Sequence, residues 1–378
     1  MEDYFFFLGR NPDLSLQEII SFFEARGIEG KYHLESNIVC FSVDEKIDPN
    51  ELIMKLGGTI KLGKSLIKEK NPEKFIDLIS KSVIYSGEEE KLKFTITVYP
   101  KETAEIESKI AVTIKDMLYD YFKTEGIKAY YKQPSENPTD SIKFDIEYFA
   151  VQLQGMYYFG KIDAVYDAKD VGFRDMHKPC RRPEYAISPR IAKMLMNLCG
   201  ATEGSVLLDP FCGVGTILQE ALLSNINVIG SDVDAGIIEN CKRNLAWLNK
   251  TYQIHANAKI FTSNAIDLPK TLKEKVDGIA SEPFLIPLIT YTPKKKEARK
   301  MMNKAKYIYI MTLNELKKVL KDGGRIALSL PVMKSREGKE RLNIEEVCAE
   351  TKLKLIAGPF SEARKDQRVE RELVILEK

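Results

Sequence analysis

Residues 206–217 read VLLDPFCGVGTI. An apolar run ends on Asp209, turns through Gly213-Val214-Gly215 and enters the start of a helix. Glycines at such a turn let the backbone approach a ligand closely, and a helix start offers N–H groups without intrahelical partners. A dinucleotide turn would read G-x-G-x-x-G, but Leu218 occupies the third glycine position. A phosphate-cradling loop would need G-K-[ST], which is absent. Here an acid and Pro-Phe stand before the glycines, and an anion suits the cationic methionine end of S-adenosylmethionine better than a pyrophosphate. Asp232 ends the next strand in VIGSDVD, where an acid is placed to accept from both ribose hydroxyls. Asp234 reads as the cap of the following helix. In TSNAIDLP (262–269), Asn264 either accepts from an adenine amino group or closes a plain turn. Phe211 either lines the ligand or packs.

Strand and helix patterns alternate on both sides of this turn. The strands are expected at 205–208, 227–232, 258–262, 276–280 and 324–330, with helices at about 215–223, 234–249 and 303–321. The tail adds a helix near 341–350 and two strands, KLKLIA and RELVILEK. From Ser188 onward this rhythm predicts an α/β, doubly wound, largely parallel sheet. The region upstream reads differently. Residues 1–66 give a small α+β unit, with strands at 4–8 and 37–43 and helices at about 14–26 and 50–56. Residues 67–165 give a second, built on LKFTITVY (92–99), a helix over 106–121, and strands at 128–131, 142–149 and 156–162. The stretch 166–187 is polar and reads as a linker; its Arg174, Lys178, Arg181 and Arg182 either touch phosphate or are simply solvated.

At 378 residues the chain has room for two or three domains, and 44% apolar content supports buried cores. No apolar run reaches the ~18–20 residues of a membrane span, and the acidic start MEDYFFFLGRNPD does not read as a signal peptide. A cytoplasmic location is expected, with no membrane partner. The six cysteines form no C-x-x-C pair and the three histidines stand apart, so no metal site is expected and the thiols read as reduced. The net charge of +2 hides an asymmetry: residues 181–378 carry 33 basic and 24 acidic side chains. That surplus of cations suits a polyanionic partner.

The motifs ISPRIAKMLMNLCG, VLLDPFCGVGTILQEALL and VIGSDVD together resemble the THUMP-domain tRNA guanosine N2-methyltransferases, especially the archaeal position-10 type. LGGTIKLGK (56–64) resembles the N-terminal ferredoxin-like domain of that family, and YYFGKIDAVYDAKDVGFRD resembles a THUMP domain and its exit. The resemblance implies a Rossmann-like S-adenosylmethionine-dependent methyltransferase domain over 188–378, preceded by α+β ferredoxin-like (1–66) and THUMP (67–165) domains, with 166–187 as linker. It implies tRNA as partner, a THUMP unit that engages the 3′ end of tRNA, and Ser188 beside the methionine end of the cofactor.

In that family the fourth strand is followed by Asp-Pro-Pro-Tyr. A guanine amino nitrogen is a poor nucleophile because its lone pair is delocalised. A side-chain oxygen and the next backbone carbonyl accept its two N–H groups and turn the lone pair toward the sulfonium methyl, while the aromatic stacks on the flipped base. This chain has ASEPFLIP (280–287). Laid on the pattern, Ser281 replaces the acid, Glu282 the first proline, Pro283 keeps the second and Phe284 replaces the tyrosine. The carboxylate has moved one place along, and Glu282 either accepts the amino protons, takes the proton once the methylated nitrogen becomes acidic, or is a solvent-exposed or salt-bridged surface acid. The cations of TPKKKEARKMMNKAKYIYIM (292–311) would hold RNA backbone or form a solvated helix face, and Tyr307/Tyr309 read as a buried edge. Two alternatives stay open: an amino-methylase for another base in RNA or DNA, and a catalytically inactive RNA-binding protein.

Overall fold

The computed structural model describes residues 1–99, 104–133, 144–182, 187–283, 286, 291–362 and 369–378. They form two compact units: residues 1–12, 28–54 and 59–168 in the first, and residues 13–27, 55–58 and 169–378 in the second. Among the described residues no helix is long and apolar enough to cross a membrane.

The first unit is one sheet of eight strands: β1 (Glu2–Leu8), β2 (Gly30–Glu35), β3 (Ile38–Val43), β4 (Thr59–Glu69), β5 (Lys91–Tyr99), β6 (Lys128–Tyr131), β7 (Ile146–Leu153) and β8 (Met156–Val165). Their order is β2-β3-β1-β4-β8-β7-β5-β6. Pairing is antiparallel except around β5, which runs parallel to β6 and β7. Parallel neighbours need a crossover, and α4 (Ala104–Thr124) supplies it between β5 and β6. Ile114, Leu118 and Phe122 on α4 are fully buried against Phe94, Tyr148 and Phe159, together with Phe75 and Ile79 of α3 (Pro72–Lys81). β2 was not evident from GKYHLE, whose residues are nearly all exposed and lack an apolar alternation.

The second unit gathers helix α1 (Pro12–Glu24), the end of α2 (Pro49–Lys55) and everything from α5 (Ala168–His177) onward. Its seven-stranded path is β11-β10-β9-β12-β13-β16-β15. The strands are β9 (Val206–Asp209), β10 (Asn227–Asp232), β11 (Ala258–Thr262), β12 (Val276–Ser281), β13 (Leu320–Ser335), β15 (Lys354–Glu362) and β16 (Val369–Glu377); β14 (Gly338–Arg341) pairs with β13 alone. β9 to β13 are parallel, while β16 runs antiparallel between β13 and β15. This is the doubly wound sheet the alternation predicts. Helices α6 (Pro189–Leu198), α7 (Thr216–Leu223) and α8 (Ala235–Tyr252) cover one face, packing on Leu207, Val228 and Ala280. The turn α9 (Leu268–Thr271), α10 (Lys295–Val319) and α11 (Ile344–Thr351) cover the other, packing on Leu208, Ile279 and Ile326. Adjacent residues of one strand, Leu207 and Leu208, thus serve opposite cores, which is why the central strands read as unbroken apolar runs.

The polar stretch 167–183 contains α5, and its cations differ in fate. Arg174 is buried, with Nε and Nη2 donating to Glu220 at 3.2 and 3.1 Å and Nη1 paired with Asp170. Lys178 is also buried, on Asp175 and Thr216. Arg181 and Arg182 lie nearer the surface.

Candidate functional site

β9 and β12 are neighbours at the place where strand order reverses, the position at which open α/β sheets form a crevice beyond their carboxyl ends. Asp209 and Ser281 are the last residues of those two strands. The Ser281 hydroxyl donates to Asp209 Oδ1 at 2.6 Å, and both side chains are buried. Burial pushes the Asp209 carboxyl up to about 7, against the hydrogen bonds from Ser281 and the Phe211 N–H; Asp232 and Glu282 raise it further. Among the described residues no cation pairs with Asp209.

The glycine turn is built as its composition requires. Gly213 and Gly215 adopt φ of 50° and 87°, the left-handed region that favours glycine. Gly215 is needed twice over, because a Cβ there would lie 2.7 Å from Cys241 Sγ. The Gly213 N–H donates to Asp232 Oδ2 at 3.2 Å, and the Asp234 N–H to Asp232 Oδ1 at 3.1 Å. Asp232 therefore fastens the glycine turn to the end of β10, each oxygen keeping a further lone pair. Asp234 caps α8 through the Gly236 and Ile237 N–H groups. Phe211 is half-buried, with its N–H on Asp209 Oδ1 at 3.1 Å. Asn264 is exposed and caps the short turn Ala265–Asp267, accepting from the Ile266 N–H at 3.3 Å. Ser188 caps α6, accepting from the Ile191 N–H at 3.4 Å.

Beyond Ser281 the chain carries Glu282 across the carboxyl edge of the sheet. Glu282 Oε1 pairs with Arg371 Nε and accepts from Ser329 Oγ at 3.4 Å. Pro283 is buried, and its carbonyl accepts from the Tyr309 hydroxyl at 3.3 Å; the same hydroxyl lies 3.1 Å from the Ser329 carbonyl. Phe284 lies outside the described residues. Tyr307 and Tyr309 do not form a strand edge. Both lie on α10, where Tyr309 is 2% and Tyr307 67% exposed. Sequence reasoning missed Arg371, Ser329 and the Tyr309 hydroxyl as neighbours of this segment. They lie on β16, β13 and α10, and only the sheet order brings them to the end of β12. The one available signal for Tyr309 was a tyrosine on a helical apolar stripe, since a buried hydroxyl needs a partner.

The chain resembles known proteins in sequence and in fold. Residues 179–341 match the family model of UPF0020, the RMKL-like methyltransferase domain. The chain is 32% identical over 174 residues to a tRNA (guanine(10)-N2)-dimethyltransferase of Methanothermobacter thermautotrophicus, covering 45% of this chain and 47% of that one. It is 28% identical over 193 residues to a protein of the same name from Methanocaldococcus jannaschii, covering 50% of each. The chain thus spans about half the length of these relatives. The crystal structure of TrmN from Thermus thermophilus aligns over 100% of both chains with a TM-score of 0.50 at 14% identity, a likeness of fold. Over residues 179–341 the chain is thus similar to RMKL-like methyltransferase domains.

Proposed function

We propose that the chain is an S-adenosylmethionine-dependent methyltransferase that modifies the N2 amino group of a guanosine in tRNA. The observation that carries this is the 2.6 Å bond between Asp209 and Ser281, which joins the start of the glycine turn to the end of β12 at the switch point of the sheet. The residues fit the cofactor: a buried carboxylate with no paired cation among the described residues suits a cationic ligand, and Asp232 at the next strand end retains lone pairs for ribose hydroxyls. In this reading Asp209, Phe211, Gly213 and Gly215 receive the methionine end, Asp232 the ribose, Asn264 the adenine, and Ser188 closes over the site. The cofactor supplies a sulfonium methyl group. The chain's part is to expel water, orient the base amino group with Ser281, Glu282 and the backbone beside Pro283, stack the base on Phe284, and take up the proton released as nitrogen gains its methyl.

The relatives' names supply tRNA as the substrate class, and the basic surplus of residues 181–378 supports it. The upstream residues are proposed to hold the RNA, as a ferredoxin-like domain over 1–66 and a THUMP domain over 67–165 joined by 166–187. Treating tRNA with the protein and methyl-labelled cofactor, then resolving the nucleosides by mass spectrometry, tests this. Labelled N2-methylguanosine or N2,N2-dimethylguanosine is expected, and label on another base or none would overturn it.

A further inference from the structure

Glu282 is satisfied on one side only. Its Oε1 is held by Arg371 and Ser329, while Oε2 is buried and has no hydrogen-bond partner among the described residues. The side chain is 13% exposed. The nearby hydroxyls are committed elsewhere: Ser281 donates to Asp209, and Tyr309 faces the Pro283 and Ser329 carbonyls. A buried carboxylate oxygen without a donor is unfavourable, so the site holds an acceptor ready for a donor that arrives with a ligand. The proline that the family pattern places here offers no side-chain acceptor at all.

We infer that Glu282, clamped by Arg371, is the residue that selects guanine at the acceptor site, with Arg371 as its positioning residue. The inference rests on the base-methylation reading above. A carboxylate paired with a guanidinium can only accept hydrogen bonds. Guanine alone presents a ring N–H (N1) beside its exocyclic amino group; adenine N1 and cytosine N3 present lone pairs at the equivalent place. A free carboxylate oxygen meets a donor on the guanine edge and a second lone pair on the other two. A buried mismatch of this kind discriminates far more strongly than a missing methyl group, because polar groups are left unpaired. Among the described residues, the charged and titratable groups facing Glu282 are Arg371, Asp209 and Tyr309. Of these only Arg371 is a cation.

The test uses the full chain and tRNA transcripts carrying guanosine, 2-aminopurine or inosine at nucleotide 10, the position in the relatives' names. 2-Aminopurine keeps the amino group but has a bare N1; inosine keeps the N1–H but has no amino group. The unaltered protein is expected to favour guanosine over 2-aminopurine by about 100-fold or more in kcat/KM. Glu282→Gln, whose amide both donates and accepts, should shrink that ratio to about 10-fold or less while leaving cofactor affinity unchanged. Arg371→Met should lower kcat on guanosine by about 10-fold with little change in KM, and Arg371→Lys should restore much of it and covers the case in which the methionine variant fails to fold. Binding with S-adenosylhomocysteine present gives a readout free of turnover. The unaltered protein should hold the inosine transcript at least about 10-fold more tightly than the 2-aminopurine one, and Glu282→Gln should bring the two together. Equal binding of both transcripts by the unaltered protein, or an unchanged preference in Glu282→Gln, overturns the inference. If no guanosine is methylated, the base-methylation reading falls, and the binding comparison still decides the role of Glu282.

Discussion

Asp209 joins the glycine turn to the end of β12, and its ionisation should be visible in ligand binding. The folded chain holds this proton more tightly than the unfolded chain, because burial lifts the carboxyl from 3.8 to about 7. Its contribution to stability is therefore present at acid pH and is lost as pH rises through about 7. A cationic ligand favours the ionised form, so affinity for S-adenosylmethionine should tighten by up to about 10-fold per pH unit below pH 7 and level off above it. Calorimetric titration across that range checks this, and a flat profile would count against contact between Asp209 and the sulfonium end. Asp209→Ala is expected to abolish measurable cofactor binding. Glu282→Ala should lower turnover by at least ~10–100-fold; turnover near that of the unaltered protein would remove Glu282 from the acceptor site.

α10 works on both its faces. Its buried face holds the chain at Pro283 through the Tyr309 hydroxyl, so Tyr309→Phe leaves two buried carbonyls without that donor and should cost about 1–3 kcal/mol in denaturant unfolding. Its outer face carries Lys296, Lys300 and Lys304, four residues apart and exposed, with no acidic partner among the described residues. Arg299 and Lys306, by contrast, are paired with Glu340 and Glu346. Replacing the three unpaired lysines with glutamate should weaken tRNA binding by at least about 10-fold at low salt and flatten its dependence on salt concentration. Unchanged filter-binding curves would make this face a plain solvated surface.

At the scale of the molecule, the second unit is assembled from pieces far apart in the chain. Glu18 of α1 is fully buried, accepting from the Gly57 and Gly58 N–H groups at 2.7 and 2.8 Å and from Asn197 Nδ2 of α6 at 2.7 Å. Gly57 and Gly58 are both required for this approach: a Cβ on the first would lie 2.3 Å from the Arg190 carbonyl, and on the second 2.4 Å from Ser15 Oγ. Removing the carboxylate strands two backbone donors and an amide, so Glu18→Ala should destabilise the fold by about 1–3 kcal/mol per group left unpaired. A fragment starting at Lys169 loses α1 and this network. It is expected to melt at a lower temperature than the full chain, and an equal melting temperature would show that the second unit needs nothing upstream.

Local sequence determined those features whose causes are local. Short apolar runs spaced by helical patterns marked the strands of the second unit, the paired glycines Gly213 and Gly215 marked the turn after β9, and Asp209 and Asp232 stood out because each follows an apolar run. The polar linker reading missed α5, since the burial of Arg174 depends on Glu220 in another helix. The pairing of Tyr309 with Pro283, and of Arg371 with Glu282, was legible nowhere in the chain. Those contacts exist because β16 inserts antiparallel beside β13 and α10 packs on one face of the sheet, and such long-range placement is decided by burying two cores at once rather than by any residue's neighbours in sequence.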